Sequence, residues 1–133
     1  MEYLVIDTSA LLAVLLNEPE RSSLINLTKG HGLVAAPSLP WEVGNALVAG
    51  VRRKRLRLEA LIEAWGNYRR VPLRFSEIVA ERALEIAVEF RVYAYDAYVL
   101  ETARAERLPL LTLDRGLARV ANQLGLTLLE VES

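Results

Sequence analysis

The chain has 133 residues, of which 53% are hydrophobic, and a formal net charge of −1 at pH 7. This length and apolar content predict one domain over residues 1–133 that can bury a core without a disulfide or a structural metal. The lack of cysteine excludes thiolate zinc sites, thiol catalysis and a disulfide scaffold, and the low net charge excludes a polycation that coats nucleic acid.

Short apolar runs alternate along the chain with longer helix-forming stretches. Turn formers or prolines flank most of the runs, which is typical of buried strands. The five predicted strands are Glu2 to Ile6, Leu33 to Ala36, Val71 to Leu73, Leu110 to Leu113 and Leu126 to Leu129. The predicted helices are Ser9 to Leu16, Pro19 to Thr28, Leu39 to Arg52, Leu58 to Tyr68, Ser76 to Phe90, Asp96 to Arg107 and Arg115 to Leu124. The alternation predicts an α/β fold whose parallel sheet carries helices on both faces.

The first apolar run carries an aspartate, Asp7, where the first strand gives way to a helix. This charge interrupts the run well short of the roughly 20 apolar residues that a membrane helix needs. No basic residue precedes the run, as one would in a secretion signal. We therefore expect a soluble, cytoplasmic protein with no membrane partner.

Four carboxylates are predicted to lie near strand ends on one side of the sheet. Asp7 ends the first strand and Asp114 ends the fourth. Asp96 begins the helix that leads into the fourth strand, and Glu42 lies in the first turn of the helix after the second strand. Because parallel strands end at the same edge, these side chains can be neighbours there. The set includes all three aspartates of the chain.

Helix capping is the simpler explanation for each of these acids taken alone. An acidic residue at a helix N-terminus gains roughly 0.3–1 kcal/mol from the helix dipole and from free backbone N–H groups. Capping explains Asp7 poorly, since Thr8 and Ser9 could already serve the first helix. Four carboxylates at one edge favour a shared site.

Clustered carboxylates repel each other unless a cation lies among them. Oxygen ligands without histidine or cysteine favour Mg²⁺ or Mn²⁺ over zinc. One such ion, or a pair about 3.5–4 Å apart, can activate a water and neutralise the charge that develops on a phosphoryl oxygen. The pattern therefore indicates hydrolysis of phosphodiester bonds.

Three segments resemble the acidic motifs of PIN-domain ribonucleases, in particular the VapC-type toxins of bacterial and archaeal toxin–antitoxin pairs. They read "VIDTSALLAVLL", "PSLPWEVGNAL" and "YDAYVLETARAERLPLLTLDRGL", and the resemblance extends over the whole chain in order and length. It implies a single PIN-like domain with a five-stranded parallel sheet in the order 3-2-1-4-5, which would place Asp7 next to Asp114. It also implies that the catalytic and metal-binding residues, for one or two Mg²⁺ or Mn²⁺ ions, are Asp7, Glu42, Asp96 and Asp114.

The same resemblance implies three partners for the chain. These are an RNA substrate, a small VapB-like antitoxin protein, and a second copy of the chain in a homodimer. The expected activity is endoribonuclease cleavage of RNA by the toxin of such a pair.

Several polar residues beside the carboxylates are candidate supporting residues. Ser9 and Thr112 match polar positions of the family, where a hydroxyl can orient a carboxylate or a metal-bound water. Ser9 could equally be a helix cap, and Thr112 an ordinary β-branched strand residue. Asn45 lies one helical turn beyond Glu42 and could bond to the site or be a buried, satisfied amide. Arg115 could contact phosphates beside the scissile bond or lie on the surface.

The segment "VRRKRLRLEA" places five cations at the end of the helix that carries Glu42. Arg52, Arg53 and Arg55 are candidate RNA-binding residues, because cations that follow the phosphates would guide RNA to an acidic pocket that otherwise repels it. Cations also favour a helix C-terminus and a solvated surface, which is the structural alternative.

The aromatic residues Trp41, Tyr93, Tyr95 and Tyr98 can stack on bases or pack in a core or an interface.

Two other functions are compatible with part of this pattern. A noncatalytic PIN-like module would act only through protein partners, and a metal-dependence assay on RNA distinguishes it from a nuclease. A haloacid-dehalogenase-like phosphatase also has an aspartate at the end of its first strand. It would need a second aspartate two residues later, where this chain has Ser9.

Overall fold

The computed structural model describes residues 2–132, which form a parallel sheet between two layers of helices. The elements are β1 (Glu2–Ile6), α1 (Thr8–Leu15), α2 (Arg21–Thr28), β2 (His31–Ala35), α3 (Leu39–Arg52), α4 (Leu58–Arg69), β3 (Leu73–Phe75), α5 (Ala80–Phe90), α6 (Ala94–Glu106), β4 (Leu110–Leu111) and α7 (Arg115–Gln123). The strand order is β3-β2-β1-β4, and every pairing is parallel. The predicted α/β architecture with seven helices is confirmed.

The sheet has four strands within residues 2–132, where the sequence predicts five. The segment Leu126 to Leu129 lies beside β4, where the fifth strand is expected, but forms only one parallel bridge, between Leu128 and Leu110. Two backbone hydrogen bonds accompany the bridge, from Leu110 N to Thr127 O at 2.8 Å and from Leu129 N to Leu110 O at 3.0 Å. Since β4 has only two residues, it offers few backbone groups for a longer pairing.

Residues 76–79, which follow β3, are not helical, although the sequence predicts that a helix starts there. Ser76 continues the β2–β3 pairing through a hydrogen bond from its N–H to Ala35 O at 2.9 Å, and its hydroxyl donates to Glu106 Oε2 at 2.8 Å. These contacts hold Ser76 out of α5, which begins only at Ala80. Tertiary contacts thus shift a helix start that local sequence placed four residues earlier.

Residues of β1 alternate between the two faces of the sheet, as a buried strand requires. Leu4 and Ile6 pack into the core beneath α1, α2, α3 and α4, whereas Val5 packs into the core beneath α5, α6 and α7. Each such fully buried side chain contributes about 1.5–3 kcal/mol through burial of apolar surface. Packing on both faces therefore fixes the position of β1, and with it the position at which Asp7 follows the strand.

The helices themselves are of ordinary globular length. No helix in residues 2–132 is both long and apolar enough to cross a membrane.

Candidate active site

Asp7 follows β1 directly and caps α1. Its Oδ1 accepts a hydrogen bond from Ala10 N at 3.0 Å, which is the geometry of an N-cap. Hydroxyls also donate to it, from Ser9 Oγ to Oδ1 at 2.8 Å and from Thr112 Oγ1 to Oδ2 at 2.6 Å. The side chain is only 4% exposed. Asp7 is therefore both a cap and a buried carboxylate held in a fixed orientation.

Ser9 and Thr112 join the end of β1 to the segment that follows β4. The Ser9 hydroxyl, which donates to Asp7, accepts from Leu113 N at 2.9 Å. The Thr112 hydroxyl, which also donates to Asp7, accepts from Asp114 N at 3.0 Å. Ser9 is thus not the helix cap, and Thr112 is more than a strand residue. Both hydroxyls donate to the carboxylate of Asp7 and so orient it, and their supporting role at a catalytic site stays a prediction.

Asp114 follows the strand that pairs with β1, which brings it to the same edge as Asp7. The pairing joins Val5 to Leu110 and Ile6 to Leu111, and Asp7 N continues it by donating to Leu111 O at 3.2 Å. Asp114 is exposed and caps α7 by accepting from Leu117 N on Oδ1 at 3.0 Å.

Glu42 and Asp96 lie in the first turns of α3 and α6. Both are half-buried and line one cleft of about 620 Å³. The cleft is completed by Thr8, Trp41, Asn45, Tyr93 and Tyr95. Helices from opposite faces of the sheet thus contribute one carboxylate each to the cleft. Thr8 belongs to the segment that begins with Asp7.

Ser38 and Thr8 act on Glu42, and neither was predicted from the sequence. The buried Ser38 hydroxyl donates to Glu42 Oε2 at 2.7 Å. Thr8 lies near enough to stabilise the Glu42 charge, yet its buried Oγ1 has no partner within hydrogen-bonding geometry among residues 2–132. Thr8 therefore presents an unpaired hydroxyl at the wall of the cleft. The spacing of Ser38 and Glu42, one helical turn apart, was the available signal in the sequence.

Burial raises the pKa of three of the four carboxylates. The pKa of Asp7 rises from 3.8 to about 6, because burial outweighs the hydrogen bonds from Thr112, Ala10 and Ser9 that lower it. The charge of Asp114 raises it further but is the smallest contribution. Burial is also the largest cause of the raised pKa values of Glu42 and Asp96.

Charge repulsion between the carboxylates raises the same three pKa values further, and in each case less than burial does. Asp114 raises the pKa values of both Asp7 and Asp96, and Asp96 raises the pKa of Glu42. None of the ion pairs formed within residues 2–132 involves any of these four acids. The group therefore carries negative charge that no side chain of the described chain neutralises by direct pairing.

We call Asp7, Asp114, Asp96 and Glu42 the row of carboxylates, and within residues 2–132 they do not form a closed coordination shell. Across residues 2–132, no three His, Asp or Glu side chains converge into a ready metal-binding group. The chemistry of the donors nonetheless fits a hard divalent cation, because all are carboxylate oxygens and two are only half-buried and open to the cleft.

The other sequence-predicted residues are all exposed and lie in or beyond helices that carry or follow the four carboxylates. Asn45 is exposed and lines the cleft with Glu42, so it is not a buried amide. Arg115 is exposed in the first turn of α7. Arg52 ends α3, and because Glu42 lies ten residues earlier, the two are about 15 Å apart along the helix axis. Arg53 and Arg55 follow in the exposed turn.

A model of the PIN domain matches residues 4–123. The match spans most of the chain, so the chain belongs to the PIN domain family. This membership disfavours the haloacid-dehalogenase-like alternative and leaves the noncatalytic PIN-like module as the second function. No curated protein matches the chain.

Several solved structures share the fold. PAE2754 from Pyrobaculum aerophilum has a TM-score of 0.70 at 24% identity, over 96% of this chain and 83% of that chain. VapBC2 from Rickettsia felis, bound to a DNA fragment from its promoter, has a TM-score of 0.67 at 16% identity, over 99% and 100% of the two chains. VapC20 from Mycobacterium tuberculosis, a toxin that cleaves the sarcin-ricin loop, has a TM-score of 0.64 at 13% identity, over 87% and 93%. At these identities the likeness shows the fold alone.

Proposed function

We propose that the chain is a divalent-metal-dependent endoribonuclease and the toxin of a VapBC-type pair. One observation carries the proposal. In a PIN domain, Asp7 and Asp114 follow the paired strands β1 and β4, and Glu42 and Asp96 line one cleft with Thr8, the residue after Asp7. No ion pair within residues 2–132 involves any of these four carboxylates. A divalent cation bound among these carboxylates would neutralise their charge. The cation would in turn bind a phosphate of the RNA, which explains why so much negative charge lies at the site of an RNA-cleaving enzyme.

The four carboxylates are the proposed holders of one or two Mg²⁺ or Mn²⁺ ions. A bound ion lowers the pKa of a water and neutralises charge on the phosphoryl oxygen. Asp7 supplies an oriented carboxylate, since Ser9 and Thr112 each donate to it. Ser38 holds one oxygen of Glu42 in the same way.

Asn45 and Arg115 are proposed to act on the substrate around the row of carboxylates. The Asn45 amide opens into the cleft and can donate to a phosphate oxygen or a metal-bound water. The Arg115 guanidinium follows Asp114 and can pair with a phosphate beside the scissile bond.

Arg52, Arg53 and Arg55 are proposed to bind RNA phosphates away from the chemistry. They lie at and beyond the end of α3, and Arg52 is about 15 Å from Glu42 along that helix. From that position the three arginines can hold the strand several nucleotides away from the scissile phosphate. A positive flank offsets the repulsion between RNA and the row of carboxylates.

A VapB-like antitoxin, a homodimer and a cytoplasmic setting complete the proposal. Support comes from the solved structures that share the fold, which include a toxin–antitoxin complex from Klebsiella pneumoniae and FitAcB from Neisseria gonorrhoeae. Exposed apolar side chains such as Ile62 on α4 and Val88 on α5 offer surface for such contacts.

The test is cleavage of a mixed RNA pool by the purified protein with Mn²⁺, Mg²⁺ or a chelator. We expect cleavage with a metal, none with the chelator, and none by Asp7→Asn with any metal. Glu63→Gln is the matched control, since it removes one exposed carboxylate on α4 and should cut like the wild type. Absence of cleavage in every condition would favour the noncatalytic module.

A further inference from the structure

Three exposed aromatic side chains line the cleft that contains Glu42 and Asp96. Trp41 is 74% exposed, Tyr93 is 83% exposed and Tyr95 is 53% exposed. Large flat apolar surfaces rarely face water together without a binding role. We call these three residues the aromatic rim.

The same backbone segments position the rim and the carboxylates. Trp41 immediately precedes Glu42 in α3, and Tyr95 immediately precedes Asp96 in α6. Tyr93 is the residue before α6. The Tyr95 ring packs edge-on against Tyr98, with centroids 6.0 Å apart and planes at 76°, which restricts its orientation. Flat apolar groups therefore stand next to each carboxylate of the cleft.

We propose that the aromatic rim is a stacking subsite for an unpaired nucleobase of the RNA substrate. This inference rests on the proposed function, because the phosphodiester beside that base is the one held at the carboxylates. A nucleotide presents a flat π face and an anionic phosphate, and the cleft offers aromatic faces beside carboxylates that would share a cation with a phosphate.

The subsite selects RNA whose bases are accessible. In a duplex both faces of a base are covered by its neighbours, whereas a base in a loop or at an end can be turned out onto an aromatic ring. The cleft volume of about 620 Å³ lies within the usual range for sites that take small molecules, about 300–1,000 Å³. A nucleotide-sized group, and not a whole helix, is the occupant that this space suits.

Fluorescence of Trp41 gives a direct test. The chain has two tryptophans, so Trp65→Phe leaves Trp41 as the only one. In the Trp65→Phe, Asp7→Asn protein, which should not cut RNA, we expect a short single-stranded oligoribonucleotide to quench the emission. Two controls should each need at least about tenfold higher concentration than this oligoribonucleotide for half-maximal quenching. They are a perfect duplex and an oligomer with the same sugar-phosphate backbone but no bases.

Steady-state kinetics of variants that keep all four carboxylates give a second test. Trp41→Ala and Tyr93→Ala should each raise KM for single-stranded RNA by about tenfold while kcat stays within about twofold. Both rings are exposed, so their removal should leave the fold intact, which circular dichroism checks. Val79→Ala, which trims an exposed apolar side chain outside the cleft, is the control and should leave KM unchanged.

The outcomes separate this inference from the function on which it rests. If the wild type cuts RNA but Trp41→Ala leaves KM unchanged, or the base-free oligomer quenches equally well, the stacking subsite is wrong and the nuclease stands. If Trp41→Ala instead converts a dimer to a monomer, or abolishes only antitoxin binding, the rim binds protein and the stacking subsite is wrong. If no RNA is cut with any metal but unpaired RNA still quenches Trp41 selectively, the subsite stands and the proposed catalysis is wrong.

Discussion

Asp7 and Glu42 belong to the same row of carboxylates but are held in opposite ways. Asp7 lies within the core at a strand end, 4% exposed, with hydroxyl donors from two different segments. Glu42 lies at a helix start, half-buried beside an open cleft, with one hydroxyl donor on its own helix turn. The comparison indicates that one part of the candidate site is fixed by the fold at a cost in stability, while the other is less constrained.

The largest effect on activity is expected from substitution of Asp7, the buried carboxylate. We predict that Asp7→Asn abolishes RNA cleavage, because a neutral amide is a poorer ligand for a hard cation. The metal-free variant should be as stable as the wild type or more so, since it no longer buries a charge. Mn²⁺ should stabilise the wild type by RT ln(1 + [L]/Kd), which raises its melting temperature, and should stabilise the variant much less.

Thermal unfolding with and without Mn²⁺ decides this prediction. Equal stabilisation of both proteins by Mn²⁺, or a large decrease in stability of the metal-free variant, would mean that Asp7 is a structural cap. Glu63→Gln again serves as the control and should respond to Mn²⁺ like the wild type.

The pH dependence of stability should report the same buried charge. Well below pH 3.8 Asp7 is protonated in both the folded and the unfolded state, and well above pH 6 it is ionised in both. Between these values the unfolded state releases its proton first, so stability of the metal-free protein should fall as pH rises. A pKa difference of about two corresponds to about 3 kcal/mol.

Denaturant unfolding in chelator, at intervals from pH 4 to pH 7, measures this slope. Glu42 and Asp96 also have raised pKa values and contribute in the same direction. Asp7→Asn should therefore remove most of the slope but not all of it. A profile that is identical in variant and wild type would show that Asp7 is not the group responsible.

Removal of one hydroxyl donor to Asp7 and one to Glu42 tests whether the fold constrains the two carboxylates differently. Thr112→Val removes a donor to a fully buried carboxylate and should cost about 1.5–3 kcal/mol at neutral pH. Ser38→Ala removes a donor to half-buried Glu42, where water can replace it, and should cost less than about 1 kcal/mol. Denaturant unfolding of the two metal-free variants makes the comparison, and equal decreases in stability would contradict it.

The sequence could predict the edge of the sheet at which the carboxylates lie, but not their individual environments. Strand ends followed from apolar runs, and the adjacency of β1 and β4 followed from the family resemblance. Burial of Asp7 depends on how helices pack over the sheet, which local pattern does not encode. The bond from Ser38 to Glu42 is local, and their spacing of one helical turn could have predicted it. The sequence also predicted a fifth strand that the structure reduces to a single bridge, because its partner β4 has only two residues to pair with.

Helix capping by Asp7 and Asp114 does not exclude the metal binding that we propose for them. Asp7 and Asp114 each cap a helix through Oδ1, so Oδ2 lies outside both caps. The two roles therefore do not compete for the same oxygen. The same strand-to-helix junction that needs a cap also places the carboxylate at the sheet edge.

The smallest effect on activity is expected from substitution of Arg52, Arg53 and Arg55, which lie away from both Asp7 and Glu42. Replacing all three with Ala should weaken binding of single-stranded RNA and reduce the slope of log K against log salt by about 0.7 for each phosphate that the variant no longer neutralises. Because Arg52 lies about 15 Å from Glu42, kcat at saturating RNA should not change. Binding titrations at several salt concentrations measure the slope, with Arg82→Ala on α5 as a control for removal of surface charge. An unchanged salt slope would assign the three arginines to the helix end and the solvated surface, whereas a fall in kcat would mean that they act on the reacting phosphate.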